Sequence, residues 1–228
     1  ASRDLPIPRE NVGTLHALCY RALGRPTIAE GEIKAWNEAQ PLFRLSGAAP
    51  SVDMPEGRVE RGTKGDDLMA RAQVLRHKRI PHDSWPSEVV MFHRKWTAWM
   101  AEEGLVDFTG LIEDALDAVP VAPNDPSVFV VDEAQDCSVL ELDLVRKWAA
   151  RAEDGVVFSG DGDQAIYGWR GASARAFLGP KIPPENNFHL TQSYRVPIAV
   201  HALASKWIEK ASYRYAVEYL PRDHPGEV

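Results

Sequence analysis

The chain has 228 residues, 44% of them hydrophobic and 26% charged, with a formal net charge of −7. Those proportions describe a folded globular chain and exclude collagen and low-complexity disorder. Apolar runs such as Val128 to Val131 and Val89 to Phe92 reach only about four residues, against the roughly 18 that a membrane-crossing helix requires.

The chain opens on Ala1, and residues 1–10 have neither the apolar centre of a signal peptide nor the basic amphipathic character of a transit peptide. This start reads as a cut or processed end. Thr14 to Leu23 is helical in pattern and carries His16 and Cys19. Cys19 and Cys137 lie far apart without CxxC spacing, which fits a reducing compartment. A cytoplasmic location is expected.

From Thr27 to Gly65, Pro41, Pro50 and Pro55 break the pattern, leaving only a weak helical signal around Ile33 to Ala39. Leu68, Met69, Ala72 and Leu75 then recur at helical spacing. Asp66 and Asp67 open that segment, and Arg76, Lys78 and Arg79 close it, a charge order suited to a helix from 66 to 79. A second helix is expected from Ser84-Trp85-Pro86 to Gly104, with Val89, Phe92, Trp96 and Trp99 on one face. Those aromatics read as core. Together these features place a mostly helical subdomain inserted at 25–104.

Charge is divided unevenly along the chain. Arg58 to Lys95 holds nine Lys and Arg against five Asp and Glu, whereas Trp96 to Asp154 holds three against fourteen. The basic stretch, Arg71 to Arg79 included, suits a polyanion, and the acidic stretch suits a divalent cation with its nucleotide. Solvated helix faces are the alternative for both.

Val128 to Val131, bounded by Pro126 and Asp132, reads as a strand buried on both faces. A helix with Leu140, Leu144, Val145 and Trp148 on one face follows, and then a second apolar run, Val156 to Phe158. Strand, helix, strand predicts a βαβ unit with parallel strands. Each run ends in acid: Asp132-Glu133-Ala134-Gln135-Asp136 after the first, Gly160-Asp161-Gly162-Asp163-Gln164 after the second. Carboxylates at the carboxyl edge of such a sheet stand where open α/β sheets bind ligands. One can anchor Mg²⁺ while its neighbour activates water. Alternatively, Asp132 and Asp136 merely cap the following helix.

Asp132-Glu133-Ala134-Gln135-Asp136, then Gly160-Asp-Gly-Asp-Gln-Ala-Ile-Tyr-Gly-Trp-Arg-Gly-Ala172, then Leu190-Thr-Gln-Ser-Tyr-Arg195 closely resemble motifs II, III and IV of UvrD/Rep-type superfamily 1 DNA helicases. Gly13-Thr14-Leu15-His16-Ala17-Leu18 is similar to the family's Thr-x-His motif, and Gly104 to Ile112 to the segment that returns to the first motor domain after its insertion. The resemblance spans about residues 12–210. Within 25–100 it rests on position and helical character.

The resemblance implies an α/β fold: an incomplete RecA-like parallel-sheet motor domain (1–24 and 105–187), a mostly helical insertion (25–104) and the beginning of a second RecA-like domain (188–228). It implies ATP and Mg²⁺ as cofactors, with Asp132 on the metal, Glu133 activating water and Gln164 sensing the γ-phosphate. Arg195 is implied as an arginine finger and Tyr194 as the adenine stack; outside the motif, both would read as surface residues at a strand end. Tyr167 and Trp169 look like a stacking platform for unpaired bases, worth about 1–3 kcal/mol per base. Arg170 would meet a phosphate or an acid of the second motif, and Thr14 and His16 would contact the DNA backbone; read alone, His16 is a structural histidine.

The implied partners are single-stranded DNA and single-strand/duplex junctions, engaged by a monomer moving 3′ to 5′ without a membrane. Two departures bear on activity. No Gly-x4-Gly-Lys-Ser/Thr loop is present: the nearest string, Gly57 to Lys64, inverts the last two residues and follows polar sequence. The later motifs of the second motor domain are also missing. The expectation is therefore an internal piece of a longer helicase, inactive as an ATPase by itself. Milder substitutions are Gln192-Ser193 where Asn often precedes the Tyr-Arg pair, and Gly162 where an acid is common. Two rival readings are a nucleic-acid-binding module without a motor, and a two-metal nuclease using Asp132, Glu133, Asp161 and Asp163.

Overall fold

Thr14 begins the first helix in the computed structural model, which describes residues 7–47, 62–211 and 217–227. Its hydroxyl accepts the Ala17 N–H at 3.3 Å and caps α1 (Leu15–Ala22). The chain continues through β1 (Thr27–Ile28), α2 (Ile33–Ala39), α3 (Lys64–His77), α4 (Ser87–Glu103) and β2 (Leu105–Val106). The helix expected over 66–79 starts and ends two residues earlier, because Thr63 and Asp66 form a reciprocal capping box. Pro86 is the residue before α4, and Gly104, at φ 67°, ends it in the left-handed conformation that costs glycine least.

These elements bury their own apolar cluster. Trp36 meets Phe92, Trp96 and Trp99 edge-on at centroid distances of 5.9, 5.0 and 5.5 Å, enclosed by Phe43, Leu68, Ala72 and Val89. Each such aromatic pair adds about 0.5–1.5 kcal/mol beyond area burial. The expected aromatic face of α4 is thus core. β1 and β2 pair in parallel, Thr27 with Leu105 and Ile28 with Val106, so the chain leaves and returns at one place.

Then come α5 (Phe108–Ala118), β3 (Val128–Val131), α6 (Val139–Ala149), β4 (Gly155–Phe158), α7 (Ala174–Phe177), β5 (Gln192–Pro197), α8 (Ile198–Ile208) and β6 (Leu220–Arg222). Cys19, Leu111, Ile112, Ala115, Leu140, Leu144 and Trp148 form a second apolar cluster from α1, α5 and α6. β3 and β4 are parallel, in unbroken register from Val128 opposite Gly155 to Val131 opposite Phe158, with α6 between them in the chain. The βαβ expectation holds here.

Double-sided burial does not. Val130 is 65% and Val157 53% exposed, whereas Phe129 packs against Trp148 at 6.4 Å. Strand side chains alternate between faces; one face of β3 lies on the helices, and the other carries no cover among the described residues. β5 and β6 form another parallel pair, giving a mixed α/β chain with three two-stranded parallel sheets among the described residues. No helix among them is long and apolar enough to cross a membrane.

A buried ion cluster fixes α3 to α5. Arg76 donates to Asp107 at 2.6 and 2.9 Å and to Glu113 at 2.6 Å, while Asp107 also receives Trp96 Nε1–H at 2.8 Å and the Gly110 N–H at 2.6 Å. Burial opposes ionisation of Asp107, but the adjoining guanidinium and these donors outweigh it and hold the carboxyl below its usual range.

Candidate functional site

The two acid-tipped loops meet because β3 and β4 end level with each other. Ser159 N–H donates to Val131 O at 2.8 Å and Ala134 N–H to Ser159 O at 2.9 Å. Between the loops lies Gln135, 2% exposed. Its Nε2 donates to Glu133 Oε2 at 2.7 Å, and its Oε1 accepts the Asp161 N–H at 3.0 Å. Asp161 Oδ2 in turn accepts from Gln164 Nε2 at 2.7 Å. Glu133 and Gln164, expected to serve one phosphate, are therefore joined by a continuous chain of hydrogen bonds through Gln135 and Asp161.

The backbone is shaped for this contact. Glu133 has φ 52°, a left-handed conformation that a non-glycine residue adopts at a cost. At Gly160 an added Cβ would lie 2.4 Å from Gln135 Oε1, so a side chain there would push the Gln135 amide away from its place between the loops. Asp132 is exposed at the strand end and accepts the Glu133 N–H at 3.0 Å.

The capping alternative for these acids is not what α6 uses: Ser138 and Glu141 form its capping box. Asp136 instead places Oδ1 in a buried position without a hydrogen-bond partner. Burial and then the Glu133 charge push its carboxyl up, with Arg170 partly offsetting them. Glu133 accepts from Gln135, and Asp161 from Asp163 N–H and Gln164. Among the described residues no three His, Cys, Asp or Glu side chains converge as a metal-holding group. A single Mg²⁺ needs less, since that ion keeps several waters and takes one or two carboxylates. Asp132 fits that demand.

Trp169, 46% exposed, lies in a single 3-10 turn, Gly168–Arg170, with Tyr167 before it; their rings are 6.4 Å apart at 62°. The Arg170 guanidinium sits 5.8 Å from both ring centroids, and no ion pair to it is found among the described residues. The turn so presents an aromatic surface edged by a cation. His16 meets Phe108, which is 48% exposed, edge-on at 6.0 Å. Burial lowers the His16 pKa, with Arg170 acting in the same sense and Glu141 against. Thr14 spends its hydroxyl oxygen on the α1 cap.

In the basic segment Arg71 to Arg79, only Arg76 is taken out of reach of a ligand; Arg71, Lys78 and Arg79 remain exposed. Arg71 pairs with Glu88 at 3.0 Å, Arg79 with Asp143 at 2.5 Å, and Arg76 is buried on Asp107 and Glu113. Arg71 and Arg79 also tie helices together through these surface pairs, which are worth at most about 1 kcal/mol each. Tyr194, 86% exposed, and Arg195 lie on β5. Among the described residues no hydrogen bond or ion pair joins the Arg195 side chain to the loops at 132–136 or 160–164.

Gln135 and Asp161 were not singled out as linkers from sequence. The available signal was their position: an uncharged amide inside an otherwise acidic loop, and an acid directly after Gly160.

Residues 70–181 match the model of the UvrD/REP helicase N-terminal domain. A Staphylococcus aureus protein described as ATP-dependent DNA helicase PcrA is 36% identical over 220 residues, 89% of this chain and 30% of the relative. A Bacillus subtilis protein described as putative ATP-dependent DNA helicase YjcD is 22% identical over 218 residues, 90% of this chain and 28% of the relative. A Mycoplasma pneumoniae probable DNA helicase is 38% identical over 79 residues, 34% of this chain and 15% of the relative. The chain thus spans less than a third of the length of these curated relatives.

Proposed function

We propose that this chain, which is UvrD/Rep-like, is the part of an ATP-dependent DNA helicase in which the nucleotide-side acids meet the base-stacking turn. Residues 1–24 and 105–187 are read as portions of a first RecA-like motor domain, 25–104 as its helical insertion, and 188–228 as the start of a second RecA-like domain. The observation that carries this reading is the hydrogen-bonded path Glu133–Gln135–Asp161–Gln164 across the ends of two parallel strands.

In this reading Asp132 holds the Mg²⁺ of MgATP, directly or through water. When bound, that ion neutralises charge on the phosphates and aligns them. Glu133 accepts the proton of the attacking water, its carboxylate held in place by the Gln135 amide. Gln164 offers a neutral amide to the γ-phosphate and its water, anchored from behind by Asp161. Arg195 supplies positive charge as phosphate is lost, and Tyr194 stacks on adenine; both act from β5 once the two motor domains close. Tyr167 and Trp169 stack on unpaired bases, Arg170 adds a cation, and Thr14 and His16 line the backbone path. Translocation runs 3′ to 5′ along single-stranded DNA.

The test is hydrolysis by the complete gene product with and without single-stranded DNA. DNA-stimulated ATPase that Glu133→Gln abolishes is the expected result. ATP-independent, Mg²⁺-dependent cleavage of DNA would instead establish the nuclease.

A further inference from the structure

His77, the last residue of α3, sits where three functional segments converge. The Ser138 hydroxyl oxygen accepts the Glu141 N–H at 3.2 Å as the α6 cap, which leaves its O–H free to donate to His77 Nδ1 at 2.9 Å. That assignment leaves the proton on Nε2, which faces Thr109 Oγ1 of α5 at 3.4 Å. On the remaining side stands Gly171, immediately after the Trp169–Arg170 turn and at φ +100°. A Cβ there would come within 2.7 Å of His77 Cβ and 3.7 Å of Ser138 Cβ.

The neighbours of this point are the two loops of the site. Ser138 follows the 132–136 acids by two residues and forms a bridge with Ala172, and Ser173 N–H donates to Cys137 O at 3.3 Å. Neither loop exit can shift against the other without displacing the imidazole or breaking its bond to Ser138. Nor can the imidazole retreat, because Arg76, the residue before it, is locked in the buried cluster on Asp107 and Glu113. The helical segment 64–77 thus reaches into the junction between the acid loop and the stacking turn.

We propose that His77 is a positioning residue that transmits DNA occupancy of the Trp169 turn to the acid loop, so that bound single-stranded DNA accelerates hydrolysis. The proposal rests on the helicase reading above. His77 touches neither nucleotide nor DNA in it, and acts only through Ser138 and Gly171.

The experiment uses the complete gene product carrying His77→Ala or His77→Asn, with oligo(dT) as the DNA. In His77→Ala, ATPase without DNA stays within about twofold of wild type while DNA-stimulated kcat falls about tenfold, inside the range of ordinary coupling between sites. Hydrogen exchange in His77→Ala rises together at residues 134–138 and 167–173. His77→Asn, whose Oδ1 can replace Nδ1 as acceptor for the Ser138 hydroxyl, restores most of the stimulation. Unchanged stimulation in His77→Ala overturns the proposal. So does an Asn variant as impaired as the Ala variant with an equal drop in Tm, which marks a purely structural residue. Wild-type protein without any DNA-stimulated hydrolysis refutes the helicase reading itself, and the proposal falls with it.

Discussion

Replacing Gln135 by methionine removes both amide bonds that link the acid loops while keeping the side chain's length and burial. The bond to the Glu133 carboxylate, 2.7 Å long, is charge-assisted, and the bond from Asp161 N–H, 3.0 Å long, is neutral. Losing them costs about 1.5–3 and about 1 kcal/mol respectively. Added apolar burial at a 2% exposed position offsets part of this, leaving a loss of about 2–3 kcal/mol in unfolding free energy. Urea unfolding of the 228-residue chain, followed by tryptophan fluorescence, measures it. Catalysis by the complete gene product gives a second readout. A freed Glu133 samples orientations away from the attacking water, and about 1.4–2.8 kcal/mol of lost positioning is a 10- to 100-fold fall in kcat. KM for ATP moves less, because Asp132 and Gln164 are untouched. Full kcat with an unchanged urea midpoint would show that the amide link is incidental and would refute the reasoning about both loops.

Arg76→Met strands Asp107 as a buried, unpaired carboxylate, and a loss of about 3–5 kcal/mol is expected in urea unfolding. The sign with pH follows from the lowered Asp107 pKa: its contribution is present above the unfolded aspartate pKa of about 3.9 and disappears as pH falls through the lower folded value. Wild type therefore loses this share of stability on acidification while Arg76→Met does not, as paired urea melts across that range would show. Glu30 behaves oppositely. Burial, with Asp107 adding to it, pushes its carboxyl up to about 7, against the Phe108 N–H it accepts. Stability from the protonated form is full below about 4.5 and is lost as pH rises through about 7. Glu30→Gln, neutral throughout, is expected to exceed wild type by about 1–3 kcal/mol at pH 8 and to match it more nearly at pH 5; an equal difference at both refutes this. Trp169→Ala is expected to weaken oligo(dT) binding by about 1–3 kcal/mol with an unchanged salt slope, read by fluorescence anisotropy in the complete gene product. Unaltered affinity would remove the stacking role. The 228-residue chain alone is expected to show no appreciable ATPase, and DNA-stimulated turnover by it would overturn that expectation.

What the sequence carried well was local. The acids opening the segment near Asp66, the apolar spacing of α4 and α6, and the acid that follows each of two apolar runs are all short-range signals, and α4, α6, β3 and β4 stand where those signals place them, with α3 two residues earlier than expected. What it hid depends on partners far along the chain. Arg76 reads as one more surface cation until Asp107, thirty-one residues away, closes on it. Val130 belongs to an unbroken apolar run and so reads as interior, yet burial depends on what lies over that face of the sheet. Gln135 is a single letter between four others in a motif whose acids attract attention first. Only the parallel register of β3 with β4 shows that it spans the gap.

The short parallel ladder Thr27–Ile28 with Leu105–Val106 sets both ends of the intervening stretch side by side, about 5 Å apart as neighbouring strands are. Such a ladder works as a clasp at the base of the stretch. A change in length between these two strands leaves the point where the chain departs and the point where it rejoins side by side, as long as the ladder itself is kept. Arg76 and His77 add a second tie across it, to Asp107, Glu113 and Ser138, so the stretch is fastened at its base and again from within.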